Sequence, residues 1–166
     1  KIKIKDGYIF ASAQNGLKGR TIKFPKISVG ATENILIAAC FAKGETKLRN
    51  CALEPEIDDL INFLKKIGCK IKRIGKRSIN VFGVEKLKSA VHEVIFDRIE
   101  AGTYIIAAAL TKGRLKIKNI NPKIMSTEIH LLHKMGVDII KKKNYIIVSR
   151  SKKLRGINVV TRPYPG

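Results

Sequence analysis

An internal repeat constrains the fold of this chain more than any other feature. Residues 31–50 align with residues 100–119 at a constant shift of 69 positions, and the Lys-Gly pair in each stretch is preserved. Further along, residues 64–71 resemble residues 132–139. A fixed repeat length is typical of proteins that stack copies of one supersecondary unit. The sequence therefore predicts two full units, preceded by the closing hairpin of an earlier unit.

Each unit is predicted to have the order β-α-β-α-β-β. The first helix starts near Ala31 or Ala101 and ends at the Lys-Gly pair, because glycine readily takes the left-handed conformation that closes a helix. The second helix of the first unit starts at Pro55, where a missing amide hydrogen costs nothing, and ends at Gly68. The predicted strands are residues 46–49, 70–74 and 79–82 in the first unit and residues 114–118, 138–140 and 145–148 in the second.

The first helix of each unit is rich in alanine, as in the stretch 106–109. Alanine lets neighbouring elements pack closely, so we expect this helix to be buried and the sheets to lie outside it. The fold class is therefore α/β, in an α+β arrangement of repeated units. Such a fold is also a stable architecture that by itself implies no chemistry.

The chain is strongly basic, with a formal net charge of +21. A balance of this kind is typical of nucleic-acid-binding proteins. Here the lysines are spread along the whole chain, and the aromatic residues that stack on single-stranded bases are sparse, with no Trp. We therefore expect no nucleic-acid partner, whereas small anionic ligands are compatible with the charge.

The cysteines and histidines are not placed as metal ligands. Cys40, Cys51 and Cys69 are odd in number and form no C-x-x-C pair, which favours a reducing, cytoplasmic location over a disulfide scaffold or zinc site. Cys40 is expected to fill the core. His92 has no carboxylate at ligand spacing, and the pair at 130 and 133 is expected on a solvated helix face. No metal and no cofactor are expected.

The sequence also argues against a membrane partner. No apolar run approaches the roughly 20 residues that a membrane-spanning helix needs. The chain opens directly into an alternating Lys/Ile strand at Lys1, without a secretory signal pattern. We therefore expect a chain that begins in the middle of a fold.

The segment KISVGAT, residues 26–32, is the best candidate for a ligand-binding turn. It lies between a predicted strand and the first helix, so the amides of residues 29–31 are at a helix N-terminus. Such an end attracts anions, and Lys26 adds a full positive charge. An ordinary helix start capped by Ser28 is the alternative, and the residues alone leave both explanations open.

Four motifs follow one another along the chain: KISVGAT (26–32), LEPEIDDLINFLKKIGCKI (53–71), FDRIEAGTYIIAAA (96–109) and VVTRPYPG (159–166). In the order and spacing of these four motifs, the chain resembles the UDP-N-acetylglucosamine enolpyruvyl transferases along its whole length. Each motif alone would be weak evidence, but four in the same order are strong evidence.

The resemblance implies a fold of two domains, each an inside-out α/β barrel of three units, with the substrates in the cleft between them. The boundary then falls near residue 95. Residues 1–95 would be part of the first domain, and residues 96–166 would be the first unit of the second. The chain is expected to need the missing parts of its own fold.

The resemblance also implies an activity. Enolpyruvate is transferred from phosphoenolpyruvate to the 3′-hydroxyl of UDP-N-acetylglucosamine, the first committed step of peptidoglycan synthesis, and phosphate is released. The family needs no metal for this chemistry. Its catalytic cysteine loop lies upstream of Lys1 and its aspartate base just beyond Gly166, so the chain holds no catalytic residue and is expected to be inactive alone.

The resemblance assigns binding residues position by position. Those that match the nucleotide-sugar segment of the family are Lys26, Ile27, Ser28, Val29 and Gly30. Those that match cleft residues are Glu54, Glu56, Asp97 and Arg98. Simpler explanations exist for the second set, because acids are favoured at a helix N-terminus and an adjacent Asp and Arg can form a local ion pair.

Three other functions remain open at this stage. The shikimate-pathway enolpyruvyl transferases share the fold but have no use for a nucleotide segment such as KISVGAT. RNA-binding proteins and RNA 3′-phosphate cyclases are built on related units and would suit the charge, and steep salt dependence of RNA binding would favour them. A catalytically dead structural or interaction module is the third.

Overall fold

The computed structural model describes residues 1–150 and 153–165, so Gly166, the last residue of the fourth motif, lies outside the described residues. The chain divides into two compact units, Lys1–Glu93 and Val94–Gly166. The division falls close to the boundary predicted near residue 95. That the two units belong to different domains of a larger fold stays a prediction.

The first unit contains eight elements: β1 (Ile2–Lys5), β2 (Tyr8–Ala11), β3 (Thr21–Lys23), α1 (Val29–Ala39), β4 (Glu45–Arg49), α2 (Pro55–Lys66), β5 (Lys70–Gly75) and β6 (Ser78–Phe82). Strands β1 and β2 form an antiparallel hairpin. Its turn residues Asp6 and Gly7 both have positive φ angles, as an Asp-Gly hairpin turn requires. This is the isolated hairpin that the sequence predicted ahead of the first full unit.

The remaining strands of the first unit form one sheet in the order β3-β4-β6-β5, in which only β3 and β4 are parallel. Successive side chains along each strand lie on opposite faces of this sheet. Leu48 lies opposite Ile79 on the face that packs against the helices, and both are fully buried. Lys47 lies opposite Asn80 on the other face. The core of the unit therefore lies between this sheet and the two helices.

The second unit contains five elements: α3 (Arg98–Leu110), β7 (Arg114–Lys118), α4 (Ser126–Lys134), β8 (Val137–Lys141) and β9 (Tyr145–Arg150). Its strands form an antiparallel sheet in the order β7-β9-β8, which repeats the order β4-β6-β5 of the first unit. A separate core, centred on Ile105, Ile146 and Val148, lies between this sheet and its helices.

The repeat predicted from the sequence is confirmed at the level of single hydrogen bonds. Ser28 and Asp97, 69 positions apart, are the N-cap residues of α1 and α3. Beyond the second helix of each unit, the amide of Lys88 donates to the carbonyl of Ile67, and the amide of Arg155 donates to that of Met135. Ile67 and Met135 are the C-cap residues of α2 and α4.

The predicted first strand of the second unit is wrong. No strand precedes α3 in residues 84–97, all of which are described, so the second unit has the order α-β-α-β-β. The segment is bound to α2 of the first unit instead. Lys66 Nζ donates to the carbonyl of Val91, and His92 contacts Asp59. These contacts hold the segment, which would have to pair with β7 to form the predicted strand.

The predicted helix ends also need correction. Helix α1 stops at Ala39, and the left-handed Gly44 lies beyond it. In α3 the left-handed residue is Lys112, with φ of 57°, and the amide of Gly113 closes the helix by donating to the carbonyl of Ala108 at 2.9 Å. This is the Schellman pattern with lysine in the position where glycine was expected.

The first helix of each unit is only half buried, contrary to the prediction of full burial. Leu36 and Ile105 are inaccessible, whereas Ile37 on α1 and Leu110 on α3 are 52% and 65% exposed. Each helix therefore presents an apolar face to solvent in addition to the face that packs on its sheet. Among the described residues no helix is both long and apolar enough to span a membrane.

Candidate functional site

The KISVGAT turn starts from a fixed point at the end of β3. The amide of Phe24 donates to the carbonyl of Arg49 at 3.1 Å, and the side-chain amide of Asn50 donates back to the carbonyl of Phe24 at 2.9 Å. Phe24 itself is buried in the core. The chain therefore leaves the sheet in one defined direction, and the four residues that follow it, 25–28, connect β3 to α1.

Ser28 is the N-cap of α1, in an extended conformation, and its hydroxyl accepts a hydrogen bond from the amide of Ala31 at 3.2 Å. The amide of Ala31 is therefore taken by the cap, so the alternative of a helix start capped by Ser28 is confirmed. The amides of Val29 and Gly30 have no acceptor among the described residues. Two amides and the positive end of the helix dipole thus remain available at this end.

The side chains of the turn face in two directions. Ile27 and Val29 are half-buried and pack against the core of the first unit. Lys26 is exposed. Gly30 is also exposed, and a methyl group at its position would meet no atom within 4 Å. The turn is therefore anchored by two apolar side chains, while its cation and its glycine face open space.

Glu54 and Glu56 are placed at the start of α2. Glu54 is the N-cap residue, but its side chain accepts from the amide of Leu53 at 2.9 Å rather than from the helix. Glu56 is in the first turn and half-buried. Both carboxylates lie where the helix dipole favours negative charge. The structure brings this acidic helix start next to the KISVGAT turn, because the Thr32 hydroxyl contacts both Ser28 and Ala52.

Asp97 and Arg98 lie in the second unit, at the start of α3. Asp97 Oδ1 accepts from the amides of Ile99 and Glu100 at 2.7 and 3.0 Å, so this carboxylate caps the helix. Arg98 forms an ion pair with Glu128 at 3.6 Å, and its guanidinium lies 5.2 Å from the centre of the Tyr164 ring. The guanidinium of Arg98 is therefore held in place from two sides.

Sequence reasoning missed one partly buried pair. His92 Nε2 lies 3.0 Å from Asp59 Oδ1, the side chains are 10% and 13% exposed, and the ring packs against Phe63. Asp59 is far from His92 in the sequence, so the prediction that no carboxylate lies at ligand spacing from His92 did not reveal this partner. The two residues are 33 positions apart, and no spacing rule connects positions so distant in the sequence.

The cysteines are free thiols buried in the core of the first unit, as expected for Cys40. Burial raises the pKa of the Cys40 thiol, and the neighbouring Cys69 raises it further. Burial also raises the pKa of Cys51, against the opposing effect of Arg73 and Arg49. A nucleophilic cysteine needs a lowered pKa and access to solvent, so these thiols are structural. No cluster of three metal-ligating side chains occurs within residues 1–150 and 153–165.

The sequence model of one protein family, described as EPSP synthase (3-phosphoshikimate 1-carboxyvinyltransferase), matches residues 1–166. The chain belongs to this family of enolpyruvyl transferases. Within the family, it is similar to the UDP-N-acetylglucosamine 1-carboxyvinyltransferases. It is 59% identical over 166 residues to the one from Pelagibacter ubique and 50% identical over the same length to the one from Endomicrobium trichonymphae. The resemblance inferred from the four motifs is confirmed.

All of this chain is matched in both relatives, yet it covers only 40% of the length of each. The solved structures give similar proportions. The enolpyruvyl transferase NikO from Streptomyces tendae is 25% identical with a TM-score of 0.81, covering 93% of this chain and 40% of that one. An EPSP synthase from Acinetobacter baumannii is 26% identical with a TM-score of 0.63, covering 87% and 34%. The predicted fold class is confirmed, and the chain covers part of that fold.

Proposed function

We propose that this chain is part of an enzyme that transfers enolpyruvate from phosphoenolpyruvate to the 3′-hydroxyl of UDP-N-acetylglucosamine, in peptidoglycan synthesis. The support lies in the relatives: those named for this reaction reach 59% identity, whereas the solved EPSP synthases stand at 26%. The chain contributes to substrate binding, and the catalytic acid and base belong to the part of the relatives' length that it does not cover. Alone it is proposed to be inactive.

The observation that carries the proposal is the turn formed by Lys26, Ile27, Ser28, Val29 and Gly30. It offers one exposed ammonium group and two amides that have no acceptor in the described part of the chain, at the positive end of α1. A diphosphate accepts hydrogen bonds from such amides and pairs with such a cation. Because Ile27 and Val29 are anchored in the core, the turn binds its ligand without first having to become ordered.

The other assigned residues are proposed to line the cleft in the whole enzyme. Arg98 is held by Glu128 and Tyr164, and a guanidinium fixed in this way loses little side-chain entropy when it binds an anionic substrate. Glu54, Glu56 and Asp97 can accept hydrogen bonds from hydroxyl groups of a sugar. Both substrates are anionic, so the basic character of the chain would speed their encounter with the enzyme. The buried free thiols support a cytoplasmic location.

The proposal is tested by replacing the matching segment of the Pelagibacter ubique enzyme with this chain, which restores the full length of a relative. We expect this chimera to consume phosphoenolpyruvate in the presence of UDP-N-acetylglucosamine and to bind the nucleotide sugar in a calorimeter. Lys26→Ala should weaken that binding about tenfold, since a charge-assisted contact to phosphate is worth roughly 1.5–3 kcal/mol.

The matched control is Lys23→Ala, which removes the same charge from an exposed position on β3. It should leave the dissociation constant unchanged within about twofold, since an exposed charge outside the site is largely screened. Unchanged binding after Lys26 and Ser28 are both replaced by alanine would contradict the proposed site. Turnover with shikimate 3-phosphate instead of the nucleotide sugar would contradict the proposed substrate.

A further inference from the structure

We infer that Thr32 is a positioning residue for the nucleotide-sugar site, because its buried hydroxyl fixes the KISVGAT turn relative to the acidic start of α2. The inference rests on the function proposed above, and it adds to that site a residue that is fully buried. Thr32 is inaccessible to solvent, so it acts only through the two segments that it joins.

The hydroxyl of Thr32 uses both its hydrogen and a lone pair. It donates to the carbonyl of Ser28 at 2.7 Å, and it accepts from the amide of Ala52 at 3.1 Å. Ser28 is the N-cap of α1, next to the two available amides, and Ala52 lies two positions before Glu54. One oxygen atom therefore connects the turn that carries Lys26 with the segment that leads into the two acids.

The contact with Ala52 is not a by-product of helix geometry. A threonine inside a helix commonly bonds the carbonyl four positions earlier, and that bond is neutral or slightly unfavourable for the helix. The bond from Ala52 instead spans 20 positions and satisfies a fully buried amide. A buried amide that loses its acceptor is costly, so the loop would shift to find another acceptor.

The second unit shows that the fold does not require this hydroxyl. The position equivalent to Thr32 by the repeat shift is Ala101, which is also buried. Helix α3 starts with its own cap at Asp97 and packs on its sheet with an alanine there. The hydroxyl is thus present in the unit that carries the proposed nucleotide-sugar turn and absent where the repeat has no such turn.

The test compares Thr32→Val, Thr32→Ser and Thr32→Ala in the chimera described above. Valine keeps the volume and removes both hydrogen bonds, serine keeps the hydroxyl and removes a methyl group, and alanine reproduces the second unit. We expect Thr32→Val and Thr32→Ala to raise the dissociation constant and the KM for UDP-N-acetylglucosamine about tenfold, with the KM for phosphoenolpyruvate changed by less than about twofold.

Thr32→Ser should bind the nucleotide sugar within about twofold of the parent although its melting temperature is lower, because a lost buried methyl group affects packing and not the connection. Such rescue would separate positioning from simple stabilisation. Dissociation constants that follow the melting temperature across the variants would overturn the inference. So would a folded Thr32→Val with unchanged binding, and Thr32→Ala decides the question if Thr32→Val does not fold.

The two proposals can fail separately. If the parent chimera does not bind the nucleotide sugar, the proposed function is wrong and the role of Thr32 is lost with it. If the parent chimera binds it and every Thr32 variant binds it equally well, only the inference about Thr32 is overturned.

Discussion

Asp97 shows how one side chain can have both a structural and a functional explanation. Its carboxylate accepts from two amides of the first turn of α3, so it contributes to stability whether or not it also meets a substrate. We predict that Asp97→Ala lowers the free energy of unfolding by about 1 kcal/mol, the usual effect of losing an N-cap, as measured by urea denaturation of the chain.

Asp97→Ser and Asp97→Asn are the controls for this prediction, since both side chains are good caps and should retain most of the stability. If Asp97→Ala is as stable as the parent chain, the capping bonds do not contribute. If Asp97→Asn is as stable as the parent but impairs turnover in the chimera, the negative charge has a separate role in the cleft.

At the level of elements, the loop that follows α1 is tightly enclosed by backbone. A methyl group at Gly83 would overlap the carbonyl oxygen of Ala42, while the Gly83 amide donates to the carbonyl of Gly44 at 3.1 Å. The loop cannot move away without losing this bond. We predict that Gly83→Ala lowers the free energy of unfolding by about 1–3 kcal/mol, the range for overpacked interiors, as measured by the urea midpoint.

Gly30→Ala is the matched control, because the same methyl group there meets open space and the φ angle is ordinary. Its stability should equal or slightly exceed that of the parent, since alanine is the better helix residue. Equal losses from both substitutions would mean that the enclosed loop around Gly83 does not determine the effect. Weaker nucleotide-sugar binding by Gly30→Ala in the chimera, at unchanged stability, would support close approach of the ligand to this turn.

At the level of the whole molecule, each first helix leaves an apolar face uncovered. On α3 this face includes Ile99, Ile106 and Leu110, which are 63%, 47% and 65% exposed. Apolar patches of this kind are rare on soluble monomers unless they bind something. We expect the rest of the fold to cover these faces, and we therefore predict that the isolated chain binds a hydrophobic dye strongly and that the chimera binds much less per molecule.

Two variants of the isolated chain test the location of the dye. Replacing Ile99 and Leu110 with lysine should reduce dye fluorescence without loss of stability, since both positions are exposed. Replacing the buried Ile105 with alanine should cost about 2–5 kcal/mol and increase dye binding. A compact monomer with a sharp melting transition and little dye binding would contradict the prediction.

The sequence by itself determined the features that depend on local pattern. The helices and strands and the caps near Ser28 and Pro55 follow from neighbouring residues, because turn chemistry and side-chain periodicity act over a few positions. The repeat and the family resemblance follow from comparing longer stretches of the sequence. The position of the KISVGAT turn between a strand and a helix was predictable for the same reason.

Only the tertiary structure decided which distant groups meet. The contact of His92 with Asp59, the bond from Ala52 to Thr32 and the position of Arg98 beside Glu128 each join separate elements, and no periodicity encodes such pairs. The same holds for the absent strand before α3, whose sequence is engaged by α2. Local propensity favours a helix or a strand, but the hydrogen-bond partners available in three dimensions determine whether it forms.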